Sequence, residues 1–324
     1  MSFNIVLQSI FSALFIASVL RISTPIILPA LGGLVSEQSG ATNITLEGTM
    51  LVAAFTGVVV SAYTRSTLWG VVCGILSGML IATILAVFHL HLKTDIFLAG
   101  IAINIMSTGG TIFLLYILTG DKGNSSSLAS KVLPFIQIPV IKDIPFLSTV
   151  LSGHNILVYV SFLLTWFVAI FLYRTRLGMH LRAVGENAEA AASVGVNVMK
   201  VRWIALLMSG FLASLGGVYM SMAYLNLFQR DMTAGRGFIA LAAVYLGGRK
   251  PWGVLLAAII FGAFDALSNQ LGSLKIAPQL VQVIPYLATI IALVVYNLRQ
   301  KAIALERMHH FQQRELTVQQ PTGD

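Results

Sequence analysis

Charged residues make up only 10% of this 324-residue chain, whereas a soluble domain carries about 25%. That scarcity excludes a water-facing globular surface over most of the molecule. Cysteine occurs once, as Cys73 inside an apolar run, so an intramolecular disulfide is excluded. Nothing matches G-x-x-x-x-G-K-[ST], and Gly120-Asp121-Lys122-Gly123 reads as a turn rather than a phosphate loop. Any energy for work must come from another subunit or an ion gradient. The six histidines fall at span ends or in loops, without the spacing of a metal site or the partners of a nucleophile. No catalytic residue, metal or bound cofactor is expected in this chain.

What the chain has in quantity is apolar surface. Hydrophobic residues reach 57%, and mean hydropathy is +0.86. In lipid every backbone polar group must be satisfied internally, which leaves helices or a closed barrel. Long apolar runs, rather than short alternating ones, select helices. The expected fold is an all-α polytopic membrane protein. The net charge of +8 lies mostly between apolar runs, as the positive-inside rule requires, and does not point to nucleic acid. The first apolar run lacks an A-x-A-like cleavage site and reads as a retained span.

Clear spans are predicted at 4–20, 48–64, 68–90, 96–118, 155–173, 202–225, 252–271 and 280–298. Residues 24–35, with Pro25, Pro29, Gly32 and Gly33, and residues 237–248 are apolar but short. Each would rise only about 18 Å against a hydrocarbon core of about 30 Å, so both read as broken or partial helices. Paired short segments of this kind often flag a transport site. Counting them gives about ten transmembrane or partial transmembrane helices. With the N-terminus inside, 12 of the 20 lysines and arginines are cytoplasmic, and Arg236 belongs to an outer connection. Residues 1–301 are expected to form one membrane domain. Loop 119–154 is then external, a lid or docking surface, and 302–324 is a polar cytoplasmic tail.

Between two spans lies a polar, basic segment, 177–200. Asn187 suits an N-cap, Glu189 the positive end of a helix dipole, and Gly195 the C′ position. The helix between them, Ala188 to Val194, has about two turns and is too short to stand alone. It needs something to dock against.

Two polar features lie inside spans. Asn104, Ser107, Thr108 and Thr111 follow the i, i+3, i+4, i+7 spacing and share one helix face. Such a row either lines a passage for a polar, uncharged solute or packs helices together. The packing reading suits the three hydroxyls; the passage reading suits Asn104, whose amide costs more to bury unpaired. Asp265, with Asn269 one turn later, is either a functional carboxylate or an outer-end group satisfied by a neighbour. Gly70-x-x-x-Gly74-x-x-x-Gly78 is a signal for close helix packing. Tyr219, Tyr224 and Phe228 are among the aromatics able to stack a base or sugar.

Three blocks in order carry a family resemblance: Ala30 to Met50, Leu181 to Val196, and Met232 to Gly253. Together they resemble the permease subunits of bacterial ABC importers in the branched-chain amino acid and ribose-type superfamily, closest to the nucleoside or simple-sugar branch. The chain departs from that pattern at Ala41-Thr42 and Thr45, and at Gly248-Arg249-Lys250. The resemblance implies a cytoplasmic coupling helix docked to a separate ATPase, carried by Gly185, Glu186, Asn187, Ala190, Ala191 and Gly195. It also implies a second permease subunit and an extracellular or periplasmic solute-binding protein, with ATP and Mg held by the ATPase. The implied location is the bacterial plasma membrane, with lipid around the chain and both termini cytoplasmic. The implied activity is nucleoside or neutral sugar import. Branched-chain amino acid or ribose-type import stands as the alternative within the family. An ion-coupled secondary transporter using Asp265 stands as the alternative outside it.

Overall fold

The computed structural model describes residues 12–137, 145–271 and 294. The predicted span 280–298, the tail and the first residues lie outside that set. The described chain is helical: α1 Ala13–Glu37, α2 Leu46–Thr64, α3 Thr67–Ala86, α4 Ile96–Thr119, α5 Pro145–Leu151, α6 Ile156–Arg174, α7 Arg176–Glu186, α8 Ala188–Ser193, α9 Val198–Tyr219, α10 Arg236–Leu246 and α11 Pro251–Leu271. Single π-helical turns extend α3 to His91 and α9 to Tyr224. A two-residue ribbon pairs β1 (Phe135–Ile136) antiparallel to β2 (His154–Asn155).

Seven of these helices are long and apolar enough to cross a membrane, against about ten expected. The largest correction concerns 24–35. It is not a separate broken piece but the second half of α1, which runs unbroken through Pro25 and Pro29. Proline at 25 removes the N–H that would bond the Arg21 carbonyl. The Tyr219 hydroxyl donates to that carbonyl instead, at 3.1 Å. A neighbouring helix thus repairs the ladder, which is how lipid-embedded helices tolerate proline. The other short piece does form its own short helix, α10, of 11 residues.

Helices α9, α1 and α2 are mostly buried and form the centre; α3 and α4 are mostly exposed and form the rim. Close approach at the centre depends on absent side chains. A Cβ at Gly217 would overlap the Met50 carbonyl, and one at Gly32 would come within 2.6 Å of the Ser209 carbonyl oxygen. Gly70, Gly74 and Gly78 lay α3 against Ser61, Val218 and Ser214 of the two neighbouring helices, which is the packing role their spacing predicts. The rim helices turn large apolar side chains outward, among them Leu76, Leu98, Ile105 and Phe113.

The two faces of this layer differ. One carries α7, α8, the end of α1 and the 247–250 turn. The other carries the 120–137 connection, which is laced to the end of α9. The Ser125 N–H donates to the Phe228 carbonyl at 2.9 Å, the Ser125 Oγ accepts from the Phe228 N–H at 2.9 Å, and the Arg230 N–H donates to the Gly123 carbonyl at 2.8 Å. The connection is therefore a cap over that end of the layer.

Candidate functional site

The polar segment after α6 folds locally, from its own residues. The Thr175 hydroxyl accepts from the Gly178 N–H at 3.1 Å and starts α7. Gly178 fits there because a Cβ would overlap the Phe171 carbonyl. Leu181 and Val184 bury one side of α7. Asn187 closes that helix and opens the next. Its N–H donates to the Ala183 carbonyl at 3.0 Å, and its Oδ1 accepts from the Ala190 N–H at 3.0 Å. Glu189 sits in the first turn of α8 and Gly195 adopts φ +86°, as the sequence predicts. The sequence places only the short helix after Asn187; α7, Arg176–Glu186, is an addition that the structure makes.

Helix α8 has six residues, and Ala191 is the one it buries. Val194, just beyond, is 78% exposed. A helix this short has little stability of its own, so its single buried contact leaves the rest presented outward. Two clefts lie beside the α7–α8 segment. One, of about 370 Å³, is lined by Leu177, His180 and residues 194–197. The other, of about 340 Å³, is lined by Glu37, Gln38, Arg182, Glu186 and Arg249. In the second, Gly185 lies directly on the end of α1, and Arg249 pairs with Glu37 at 2.8 Å.

The middle of the helical layer holds a second polar site. Helix α9 with its π turn has 27 residues and is about 40 Å long. Asn104 lies about 12 Å along α4, and Ser209 about 16 Å along α9. Both touch the segment that enters α2. The Asn104 side chain accepts from the Gly48 N–H at 2.9 Å and donates to the Ile44 carbonyl at 3.0 Å. Asn43 donates to the Ser209 hydroxyl at 2.9 Å, and its Oδ1 accepts from the Thr45 N–H at 2.9 Å. The polar run 36–49 therefore folds back into the interior, and α2 begins there.

Beside it, α10 also begins in the interior. Asp265, about 21 Å along α11, accepts from Arg236 at 2.8 Å. The Glu47 carboxylate accepts the N–H groups of Gly235 and Gly237, at 2.7 and 2.6 Å. Acidic groups at helix N-termini are favourable, and Glu47 lies at two of them, its own and that of α10. Arg236 thus belongs to the middle layer, not to a surface connection. Glu47 and Arg236 were missed because they flank apolar runs and look like end groups. The signal was α10 itself: a helix too short to cross must carry one of its flanking charges inside.

The remaining candidates divide. Ser107 and Thr111 are buried and bond carbonyls of their own helix, Ile103 at 2.8 Å and Ser107 at 2.8 Å; Thr108 is half-buried. Asn269 is exposed, one turn beyond Asp265. Tyr219 and Phe228 are buried within the protein, and Tyr224 stacks on Tyr219 at 6.4 Å. Among the described residues no cluster of His, Cys, Asp or Glu is arranged to hold a metal.

The family model for the permease component of branched-chain amino acid transport systems matches residues 15–293. The chain belongs to this permease family. The match takes in both the α7–α8 segment and the polar middle layer. Among curated proteins, the permease is 35% identical over 296 residues to the nucleoside ABC transporter permease protein NupC of Lactococcus lactis, covering 87% of this chain and 92% of that one. It is 35% identical over 299 residues to the guanosine ABC transporter permease protein NupQ of Bacillus subtilis, covering 87% and 91%. It is 31% identical over 320 residues to a putative glucose ABC transporter permease protein of Haloferax volcanii, covering 91% and 95%. The permease is a multi-pass membrane protein.

Proposed function

We propose that the permease is the membrane-spanning subunit of an ATP-driven importer in the bacterial plasma membrane, passing nucleosides or a related neutral sugar compound inward. The observation that carries this reading is its 35% identity, over 87% of its length, to permeases named for nucleosides and for guanosine. Energy comes from a partner ATPase, which holds ATP and Mg and grips α8 at the cytoplasmic face. A second, related permease subunit completes the pathway, and a solute-binding protein delivers the solute to the capped face. The C-terminus is cytoplasmic, whereas the unbroken α1, which ends beside α7, has its own start at the capped face and not at the cytoplasmic face the sequence led us to expect.

The charges of the middle layer support a neutral solute. Asp265 is paired with Arg236, and Glu47 is taken up by two backbone N–H groups. A zwitterionic amino acid would want a fixed charge or a helix N-terminus left open to it, and here α10's is already occupied by Glu47. An ion-coupled carrier would need a carboxylate free to exchange a proton or cation, which the 2.8 Å pair with Arg236 disfavours for Asp265. The test is uptake by the reconstituted complex in proteoliposomes. The reading expects ATP-dependent entry of labelled nucleoside, competed by other nucleosides and not by leucine. Gradient-driven entry by the permease alone, without ATPase, would contradict it.

A further inference from the structure

Helix α10 is held at both ends by carboxylates from other helices. At its interior end Glu47 binds the Gly235 and Gly237 N–H groups, and Arg236 binds Asp265. At its other end Arg249, in the turn that follows, pairs with Glu37 at 2.8 Å, and the Arg249 carbonyl accepts from the Gln38 side chain at 2.8 Å. Gln38 is also the residue whose carbonyl lies against Gly185 at the end of α7. A continuous line of contacts therefore runs from α7 through the end of α1 into α10. It ends at the charged middle layer, about 15 Å further on along the helix.

The sides of α10 are apolar: Gly237, Ala240, Ala242 and Ala243 are buried together with Ile239, Leu241 and Val244, and dispersion contacts of this kind have no preferred direction. The directional contacts are at its ends. An 11-residue helix is internally hydrogen-bonded, so displacement of one end is delivered to the other rather than absorbed.

We propose that α10 is the rigid link that carries movement of the 176–193 segment into the middle of the membrane, with Glu37 and Glu47 as its positioning residues. This rests on the ATP-driven reading above. Movement of α7 shifts the end of α1, the Glu37–Arg249 joint transmits it, and the Glu47 and Arg236–Asp265 contacts at the interior end open or close in response. Unfastening either end disconnects the whole link.

The experiment is a double-mutant cycle in the complex assembled with its ATPase in proteoliposomes, reading ATP-driven nucleoside uptake and solute stimulation of ATP hydrolysis. Arg249→Ala and Asp265→Asn are compared singly and together. Each single change is expected to lower uptake by about 5- to 150-fold, the usual span of a coupling free energy, and to abolish stimulation. The double variant is expected to lose no more than the worse single one, although sites more than about 10 Å apart normally act additively. Where Asp265→Asn does not assemble, Glu47→Gln takes its place in the cycle. Additive losses, or a single variant that transports normally, would overturn the link alone. A wild-type complex without ATP-driven uptake would overturn the transport reading and this proposal with it.

Discussion

Gly185 lies against Gln38 so closely that a Cβ on the glycine would overlap the Gln38 carbonyl oxygen. The contact joins α7 to the end of α1, and it tolerates no side chain because the obstacle is backbone. Gly185→Ala must push α7 away from α1. Overpacking of this kind costs about 1–3 kcal/mol. The expected outcome is a lower melting temperature of the purified permease and reduced ATP-driven uptake. Thermal unfolding and transport assays on the same preparation check it.

Asn187 serves two helices with one side chain and one N–H. Replacing it with alanine removes the cap of α8, at a cost of about 1 kcal/mol. A six-residue helix has little to set against that loss. Asn187→Ala is therefore expected to weaken capture of the ATPase by detergent-solubilised permease, while Asn187→Asp, which still accepts from the Ala190 N–H, keeps it. Equal capture by both variants would show that α8 order is irrelevant to docking.

Asn104 fills both of its roles on the segment entering α2. Asn104→Ala leaves the buried Gly48 N–H and Ile44 carbonyl without those partners, which costs about 1–3 kcal/mol. Thr108→Ala, at a half-buried position, is expected to cost much less. Paired thermal melts distinguish the two. Comparable losses would mean that Asn104 is not what holds this segment.

The capped face carries a pH-dependent element. His154 is buried there, with Nε2 2.7 Å from the Val150 carbonyl and Nδ1 without a partner. Burial, and more weakly the Arg21 charge, hold its pKa below the ordinary value of 6.5. The unfolded chain then takes up a proton before the folded one does. Stability is complete above about pH 6.5 and is lost as the pH falls through the folded-state value. The melting temperature should drop on acidification from pH 7.5 to 5.5, and His154→Gln should remove part of that drop. An identical pH profile in the variant would exclude this group.

How much of this could be read from the chain follows the range of the interactions. Asn187 and Gly195 are legible because capping and a left-handed turn are local. The long spans are legible because lipid imposes apolar runs. The unbroken α1 is not, because the donor that repairs the Pro25 gap comes from Tyr219, 198 residues away. The middle-layer charges are hidden for the same reason: Glu47 meets Gly235 across 188 residues. Local reading places Arg236 at an outer surface, and only the packing of α10 against its neighbours brings it inside.

The central claim is that α8 is a cytoplasmic handle held by a separate nucleotide-hydrolysing protein. Since Cys73 is the chain's single cysteine, a Cys73→Ser background carrying Glu189→Cys gives one reactive site on α8. Cross-linking in whole cells, followed by identification of the attached protein, measures the claim directly. The account predicts attachment to the ATPase and protection from a membrane-impermeant thiol reagent added outside. Labelling from the outside, with no attachment to a nucleotide-hydrolysing partner, would contradict it.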